Sequence, residues 1–150
     1  MMSTNRAFMG GLISVPILWL GLSAWAQGGE KFRARLSVVP IDPSTMATIT
    51  GSGSVTAELV GLKLSITGTF EGLHSPATAA SLHRGPTKGV RGPAVFDLTI
   101  SRATKGTISG SLQLTPIQVG NLENGQFYLQ INSEKAPEGN LWGWLLRESQ

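Results

Sequence analysis

Apolar and polar residues alternate along most of the chain beyond residue 30. The run 32–38 shows the pattern, because Phe32, Ala34 and Leu36 are separated by single polar residues. A period of two residues is typical of a β-strand with one buried and one exposed face. Eight short runs of this kind predict strands at 32–38, 55–59, 62–70, 78–83, 94–100, 107–114, 127–132 and 141–146.

The segments between these runs are rich in turn-forming residues, and the chain holds 19 glycines and 8 prolines. Gly61 separates the second and third runs and suits a tight hairpin. One segment, 116–123, departs from the period of two. Thr115 is a suitable N-cap there, and Pro116 fits the first helical position. The pattern therefore predicts an all-β fold, an antiparallel β-sandwich or barrel of about eight strands with one short helix.

The N-terminus carries an export signal or a membrane anchor. Residues 7–26 contain no charged side chain and follow Arg6. The small residues Ala24 and Ala26 form a signal-peptidase pattern, which favours cleavage of residues 1–26 as a signal peptide. The alternative is a retained N-terminal transmembrane helix, because 20 residues rising by about 1.5 Å each span roughly 30 Å.

Both interpretations place the rest of the chain outside the cytoplasm, because Arg6 favours a cytoplasmic N-terminus. Residues 27–30 then form a linker, and residues 31–147 form the folded domain. We expect a periplasmic or secreted protein, anchored in the inner membrane if the N-terminal helix is retained.

The composition excludes several classes of site. With 150 residues the chain has room for one domain. It contains no cysteine and so no disulfide or thiolate ligand, and its two histidines, His74 and His83, exclude a site of three imidazoles. The net charge of +3 comes from scattered single residues. No nucleic-acid binding is expected, because such proteins carry a dense basic stripe.

Two ordered motifs resemble those of a known family. Residues 79–98, AASLHRGPTKGVRGPAVFDL, are similar to the pattern A-H-I-H-x-G-x-x-G-x-x-G-P-V-V-x-x-L. Residues 125–143 are similar to G-x-x-Y-V-N-V-H-T followed by P-x-G-E-I-R-G. Both motifs belong to the CHRD, or chordin-type, domain of exported bacterial proteins, and the resemblance covers residues 31–147. It implies an immunoglobulin-like β-barrel or sandwich, similar in outline to Cu/Zn superoxide dismutase.

The chain departs from this pattern at the family's polar positions. Ser81 replaces the first histidine, whereas His83 retains the second. Asn132 stands at the third histidine, and Asn140 and Trp142 stand at the glutamate and the arginine. These positions alternate with apolar residues assigned to the core. We therefore expect them to form one patch of amide, hydroxyl and indole groups on the outer face of a sheet.

This patch lacks the residues that common chemistry needs. A metal site requires several converging imidazole or carboxylate ligands, and His83 alone does not supply them. No G-x-S-x-G motif is present. We predict no catalytic residue, no cofactor and no enzymatic activity. The alternative is a metal-binding or catalytic exported domain in which His83 acts with carboxylates such as Asp97 or Glu138.

The aromatic residues of the patch indicate a partner. Tyr128, Trp142 and Trp144 alternate with core positions on two predicted strands. Tryptophan and tyrosine dominate binding hot spots, and exposed apolar patches mark contacts. A neighbouring loop, or the second sheet, that covers these rings would remove this role. If they are exposed, they predict a protein-binding surface, or a glycan- or ligand-binding surface in a soluble periplasmic domain.

The loop 84–93 adds positive charge near the patch. Arg84, Lys88 and Arg91 lie there among glycines and prolines, which suits either an acidic partner or an ordinary solvated turn. The predicted function is therefore non-enzymatic binding of a protein partner. With a retained helix, the protein becomes an accessory or assembly subunit of a membrane complex.

Overall fold

The computed structural model describes residues 28–149, so the predicted N-terminal helix within residues 1–26 lies outside the described residues. Within this part of the chain there are nine strands and one helix. They are β1 (Glu30–Val38), β2 (Ser52–Val60), β3 (Lys63–Glu71), β4 (Ala77–Arg84), β5 (Ala94–Ile100), β6 (Gly106–Gln113), α1 (Pro116–Glu123), β7 (Phe127–Ser133), β8 (Ala136–Trp144) and β9 (Leu146–Arg147).

The strands close into an eight-stranded barrel. The order around it is β2-β3-β6-β5-β4-β7-β8-β1, and β1 pairs again with β2. Every pairing is antiparallel, which confirms the predicted all-β antiparallel fold. Strand β1 pairs with β2 over Glu30–Leu36 and with β8 at Ser37 and Val38. It therefore joins the two ends of the strand order into a closed ring, whereas an immunoglobulin-like sandwich has two separate sheets. The short strand β9 adds to β1.

The connections form a Greek key. Strands β4, β5 and β6 follow one another around the ring, whereas β7 returns to lie beside β4. This return places β4, β7 and β8 next to one another. The two sequence motifs, 79–98 and 125–143, therefore share one side of the barrel.

The barrel interior holds the apolar face of every long strand. Tyr128 apart, the largest fully buried side chains belong to one hydrophobic cluster: Phe32, Leu36, Leu64, Ile66, Leu82, Ile108, Leu122, Phe127, Leu129, Ile131 and Leu141. Helix α1 contributes Leu122 and closes the barrel at the end where β1 begins. Hydrophobic burial on this scale is the dominant stabilising contribution for a domain of this size.

Local signals set the turn and the helix as predicted. Gly61 has a φ of +62° and occupies the first position of the two-residue turn between β2 and β3, where glycine avoids a steric penalty. Helix α1 begins with a capping box. The Thr115 hydroxyl accepts from the backbone N–H of Gln118 at 3.2 Å, and the Gln118 side chain accepts from the Thr115 N–H at 2.9 Å.

Candidate functional site: the outer face of β4, β7 and β8

The predicted patch residues lie together on the outer face of β4, β7 and β8. One cross-strand row runs from His83 through Tyr128 to Trp144. The next row runs from Ser81 through Gln130 to Trp142, which confirms that these positions share one face. This side of the barrel is the candidate site, and we call it the β4-β7-β8 face.

His83 is held by hydrogen bonds at both ring nitrogens. Its Nδ1 lies 2.9 Å from the carbonyl oxygen of Gly92, which can only accept, so Nδ1 carries a proton. Its Nε2 lies 2.9 Å from the Ser81 hydroxyl, two residues away on the same strand. In the neutral imidazole Nε2 accepts from Ser81. A metal ion at His83 would have to displace one of these two partners.

Tyr128 fixes the same loop residue from below. Its hydroxyl donates to the Gly92 carbonyl at 2.9 Å and accepts from the Gly92 N–H at 3.0 Å. Its ring stacks on His83 with centroids 4.9 Å apart. Tyr128 is only 1% exposed, so it supports the face from beneath and offers no contact surface while the loop is in place.

The loop between β4 and β5 closes tightly on itself because of two glycines. A Cβ atom at Gly92 would lie 1.8 Å from the Arg84 carbonyl oxygen, and one at Gly85 would lie 2.0 Å from the Val90 carbonyl oxygen. Both distances are far below contact distance, so a larger residue at either position forces the backbone apart. The loop is further tied by the Gln126 side chain, which donates to the Pro86 carbonyl at 2.9 Å.

Two indoles form the accessible part of the face. Trp142 and Trp144 are half-buried, and their centroids are 5.9 Å apart in an edge-to-face arrangement. Tyr128 packs against both, at 5.6 and 4.6 Å. The guanidinium of Arg91 lies 5.5 Å from the Trp142 ring centroid, a cation–π contact that joins the basic loop to the indoles.

The predicted basic residues remain available for a partner. Arg84, Lys88 and Arg91 are exposed, and among residues 28–149 none of them belongs to an ion pair. The ion pairs found in this part of the chain use Arg33 and Arg147 instead. The loop therefore presents three cations beside a pair of indoles.

The amide end of the face is covered, which the pattern of residues did not predict. Asn140 is fully buried, and within residues 28–149 its side-chain amide has no hydrogen-bond partner. Val39 and Ile49 form a small hydrophobic cluster with Ala136, and Trp142 packs against it. The segment that joins β1 to β2 thus crosses the outer face here. The neighbouring Gln130 amide donates to Asn132 at 2.9 Å.

The chemistry available at this face is limited. Residues 28–149 contain no group of three or more histidine, cysteine, aspartate or glutamate side chains placed to hold a metal ion. The Ser81–His83 contact has the form of a nucleophile and a base, but Ser81 is only 9% exposed. Within the part of the chain that the structure describes, the hydrogen-bond partners of His83 are Ser81 and Gly92, and the predicted ligand candidates Asp97 and Glu138 are not among them.

In the described part of the chain, no helix is both long and apolar enough to cross a membrane. The predicted anchor at residues 7–26 lies outside that part.

The comparisons with known proteins agree with the resemblance of the two motifs. The family model of the CHRD domain matches residues 32–145, which covers most of the chain. No curated protein matches the chain, and no solved structure matches it.

Proposed function

Because the chain belongs to the CHRD domain family, we propose that it is a non-enzymatic extracytoplasmic barrel that binds a protein partner through its β4-β7-β8 face. CHRD domains are typically extracellular, and the family is of a binding type. The proposal extends this general role to a particular surface and a particular class of partner.

The observation that carries the proposal is the half-buried indole pair on a rigid support. Trp142 and Trp144 pack on Tyr128, whose hydroxyl is locked to the Gly92 backbone. Rigid aromatic side chains lose little conformational entropy on binding and dominate interface energies. Their preorganisation favours a contact surface over a merely solvated strand face.

The basic loop contributes charge to the same surface. Arg84, Lys88 and Arg91 would meet carboxylates of the partner, and Arg91 lies directly beside Trp142. Such charges mainly raise the association rate and exclude wrong partners. Tyr128 contributes as the support that holds the loop and both indoles.

The membrane role rests on residues 7–26. If this apolar segment is retained, the protein is an accessory or assembly subunit of a membrane complex, with its barrel on the periplasmic side. If it is cleaved, the barrel is a free periplasmic or secreted protein. Mass spectrometry of the native N-terminus distinguishes the two, because the retained chain starts near Met1 and the cleaved chain starts at Gln27.

The direct test removes the indoles and follows the association. The double variant Trp142→Ala, Trp144→Ala should lose the complex that cross-linking and gel filtration detect for the wild-type protein in native membranes. Val60→Ala is the matched control, because Val60 is 52% exposed and lies at the end of β2, a strand that does not border β4, β7 or β8. Circular dichroism checks the fold of each variant. An unchanged complex with the double variant, or a wild-type protein that elutes alone, contradicts the proposal.

The alternative centred on His83 is less well supported, because both ring nitrogens already have partners. Elemental analysis of the purified protein tests it. Stoichiometric copper, zinc or iron that is lost in His83→Ala would favour that alternative over partner binding. Binding on a glycan array that requires both indoles would favour a glycan ligand.

A further inference from the structure

Exposed apolar side chains concentrate at one end of the barrel. This end, the β1-start end, is the one at which β1, β3, β5 and β7 begin and β2, β4, β6 and β8 finish. Of the eight large apolar residues that are exposed within residues 28–149, six lie there: Val60, Leu62, Val90, Val95, Ile117 and Leu146. The other two, Ile41 and Met46, belong to the connection at the opposite end.

These residues belong to elements that are in contact with one another. The turn after β2 is tied to the start of α1, because the Leu114 N–H donates to the Leu62 carbonyl at 2.7 Å. A cleft of about 210 Å³ is lined by residues of the chain entry, the end of β2 and helix α1, including Gly28, Val60 and Val119. Ile117, in the first turn of α1, is 78% exposed. Val60, Leu62 and Ile117 therefore belong to connected elements, and Val90 and Val95 lie at the same end in the loop after β4 and at the start of β5.

The chain enters the barrel at this same end. The uncharged segment 7–26 finishes at Ala26, and β1 begins at Glu30. Four residues reach at most about 14 Å when fully extended, because each residue spans at most about 3.6 Å. If residues 7–26 lie in a bilayer, the β1-start end must therefore lie close to the bilayer surface.

The charge of this end fits an anionic surface. Lys63, Arg84, Lys88 and Arg91 all lie here, and within residues 28–149 they form no ion pairs. The nearby acids are only partly neutralised, because Glu30 and Glu123 share the single guanidinium of Arg147, Glu148 contacts Arg33, and Glu58 accepts from the Gly29 N–H. The four cations still exceed the negative charge that remains. Basic residues beside apolar ones are what anionic phospholipid headgroups attract.

We propose that the β1-start end rests on the surface of an anionic phospholipid bilayer, with Leu62, Val90 and Ile117 in the headgroup region. The proposal needs no protein partner, although Arg84, Lys88 and Arg91 contribute charge to both surfaces. It sets the barrel upright on the membrane, so that the β4-β7-β8 face points sideways, parallel to the bilayer plane.

Site-specific labels on the full-length protein test this orientation. The chain has no cysteine, so Ile117→Cys and Leu62→Cys each provide a unique position for an environment-sensitive fluorophore. Met46→Cys is the control at the opposite end. In vesicles of phosphatidylglycerol and phosphatidylcholine in equal parts, we expect blue-shifted emission and quenching by headgroup spin-labelled lipid at positions 62 and 117, and neither effect at position 46.

A charge variant separates docking from simple tethering. In the Ile117→Cys background, the double variant Lys63→Glu, Lys88→Glu should reduce quenching by at least half. Lys105→Glu, Lys135→Glu, which changes the same charge at the opposite end, should leave it unchanged. Equal signals at all three label positions, or quenching that does not respond to Lys63→Glu, Lys88→Glu, would overturn the proposal. These labels report no protein partner, so failure of the proposed function leaves this result intact.

Discussion

The Tyr128 hydroxyl and the backbone of Gly92 form two hydrogen bonds with each other, at 2.9 and 3.0 Å, although the residues are 36 positions apart. The Nδ1–H of His83 donates a third hydrogen bond to Gly92, at its carbonyl oxygen. Through these contacts the basic loop is fixed on the β4-β7-β8 face beside the indoles. The candidate site is therefore a preorganised surface whose support lies beneath it.

Tyr128→Phe should loosen the loop while keeping the ring in place. It removes both bonds and leaves the Gly92 N–H without its partner, which should cost about 1–2 kcal/mol of unfolding free energy. Urea unfolding measures the loss, and hydrogen exchange at Gly92 should become faster. Thr67→Val is the control, because it removes only an exposed hydroxyl that contacts Thr56 and should change stability by less than about 0.5 kcal/mol. Unaltered exchange at Gly92 would contradict the role of Tyr128.

Two glycine substitutions should act in opposite directions. In Gly92→Ala the new methyl group meets the Arg84 carbonyl oxygen, which should destabilise the protein by about 1–3 kcal/mol or displace the loop. In Gly120→Ala the methyl group meets no atom of residues 28–149 within 4 Å, and the helical position should gain about 0.5–1 kcal/mol. Thermal unfolding of both variants checks the contrast. If both substitutions change the melting temperature equally, the close approach of Gly92 to the Arg84 carbonyl oxygen does not constrain the loop.

Thr115→Ala should weaken the helix that closes the β1-start end. It removes the hydroxyl that accepts from the Gln118 N–H, at a cost of about 1 kcal/mol. Thr115→Ser keeps the acceptor and should behave as the wild-type protein does. Chemical denaturation of the wild type and both variants measures the free energy of unfolding and separates the loss of the cap from other effects of the threonine. An equal loss of stability in Thr115→Ser and Thr115→Ala would contradict a role for the cap.

Asp42 should make a small, acid-sensitive contribution to stability. Hydrogen bonds from the Ser44 side chain and backbone lower the pKa of its carboxyl below the usual value. A lowered folded-state pKa stabilises the protein above the unfolded pKa, and this stabilisation is lost as the pH falls through the folded-state value. The stability difference between wild type and Asp42→Asn should therefore shrink as the solution is acidified through that range. A difference that stays constant with pH would argue against the effect.

The sequence predicted the strands, the first hairpin and the helix, because patterns of neighbouring residues determine these elements. Alternation placed eight strands, Gly61 marked the first hairpin, and the N-cap pattern located helix α1 at its observed bounds, Pro116–Glu123. These signals lie within a few residues of the structure that they specify. The early start of β8 was missed, because Pro137 and Gly139 are typical of a turn, yet both lie within that strand.

Burial on the outer face was not predictable in the same way. Alternation places Tyr128 and Asn140 outside the barrel, where the structure indeed has them, but both are covered. Tyr128 is covered by the loop that contains Gly92, and Asn140 contacts the segment after β1, because its carbonyl oxygen accepts from the Val39 N–H at 3.1 Å. Such coverings depend on contacts between distant parts of the chain. The Ser81–His83 contact was accessible to sequence reasoning, since alternate residues of one strand share a face.

Photo-crosslinking in living cells tests the central claim most directly. A benzophenone amino acid replaces Trp144 on the β4-β7-β8 face in one protein, and replaces the exposed Ser109 on the outer face of β6 in another. Illumination should give a discrete protein adduct from position 144 and none from position 109, and Arg91→Glu in the same background should weaken that adduct. The absence of an adduct at position 144, or the same adduct from both positions, would contradict binding through the β4-β7-β8 face.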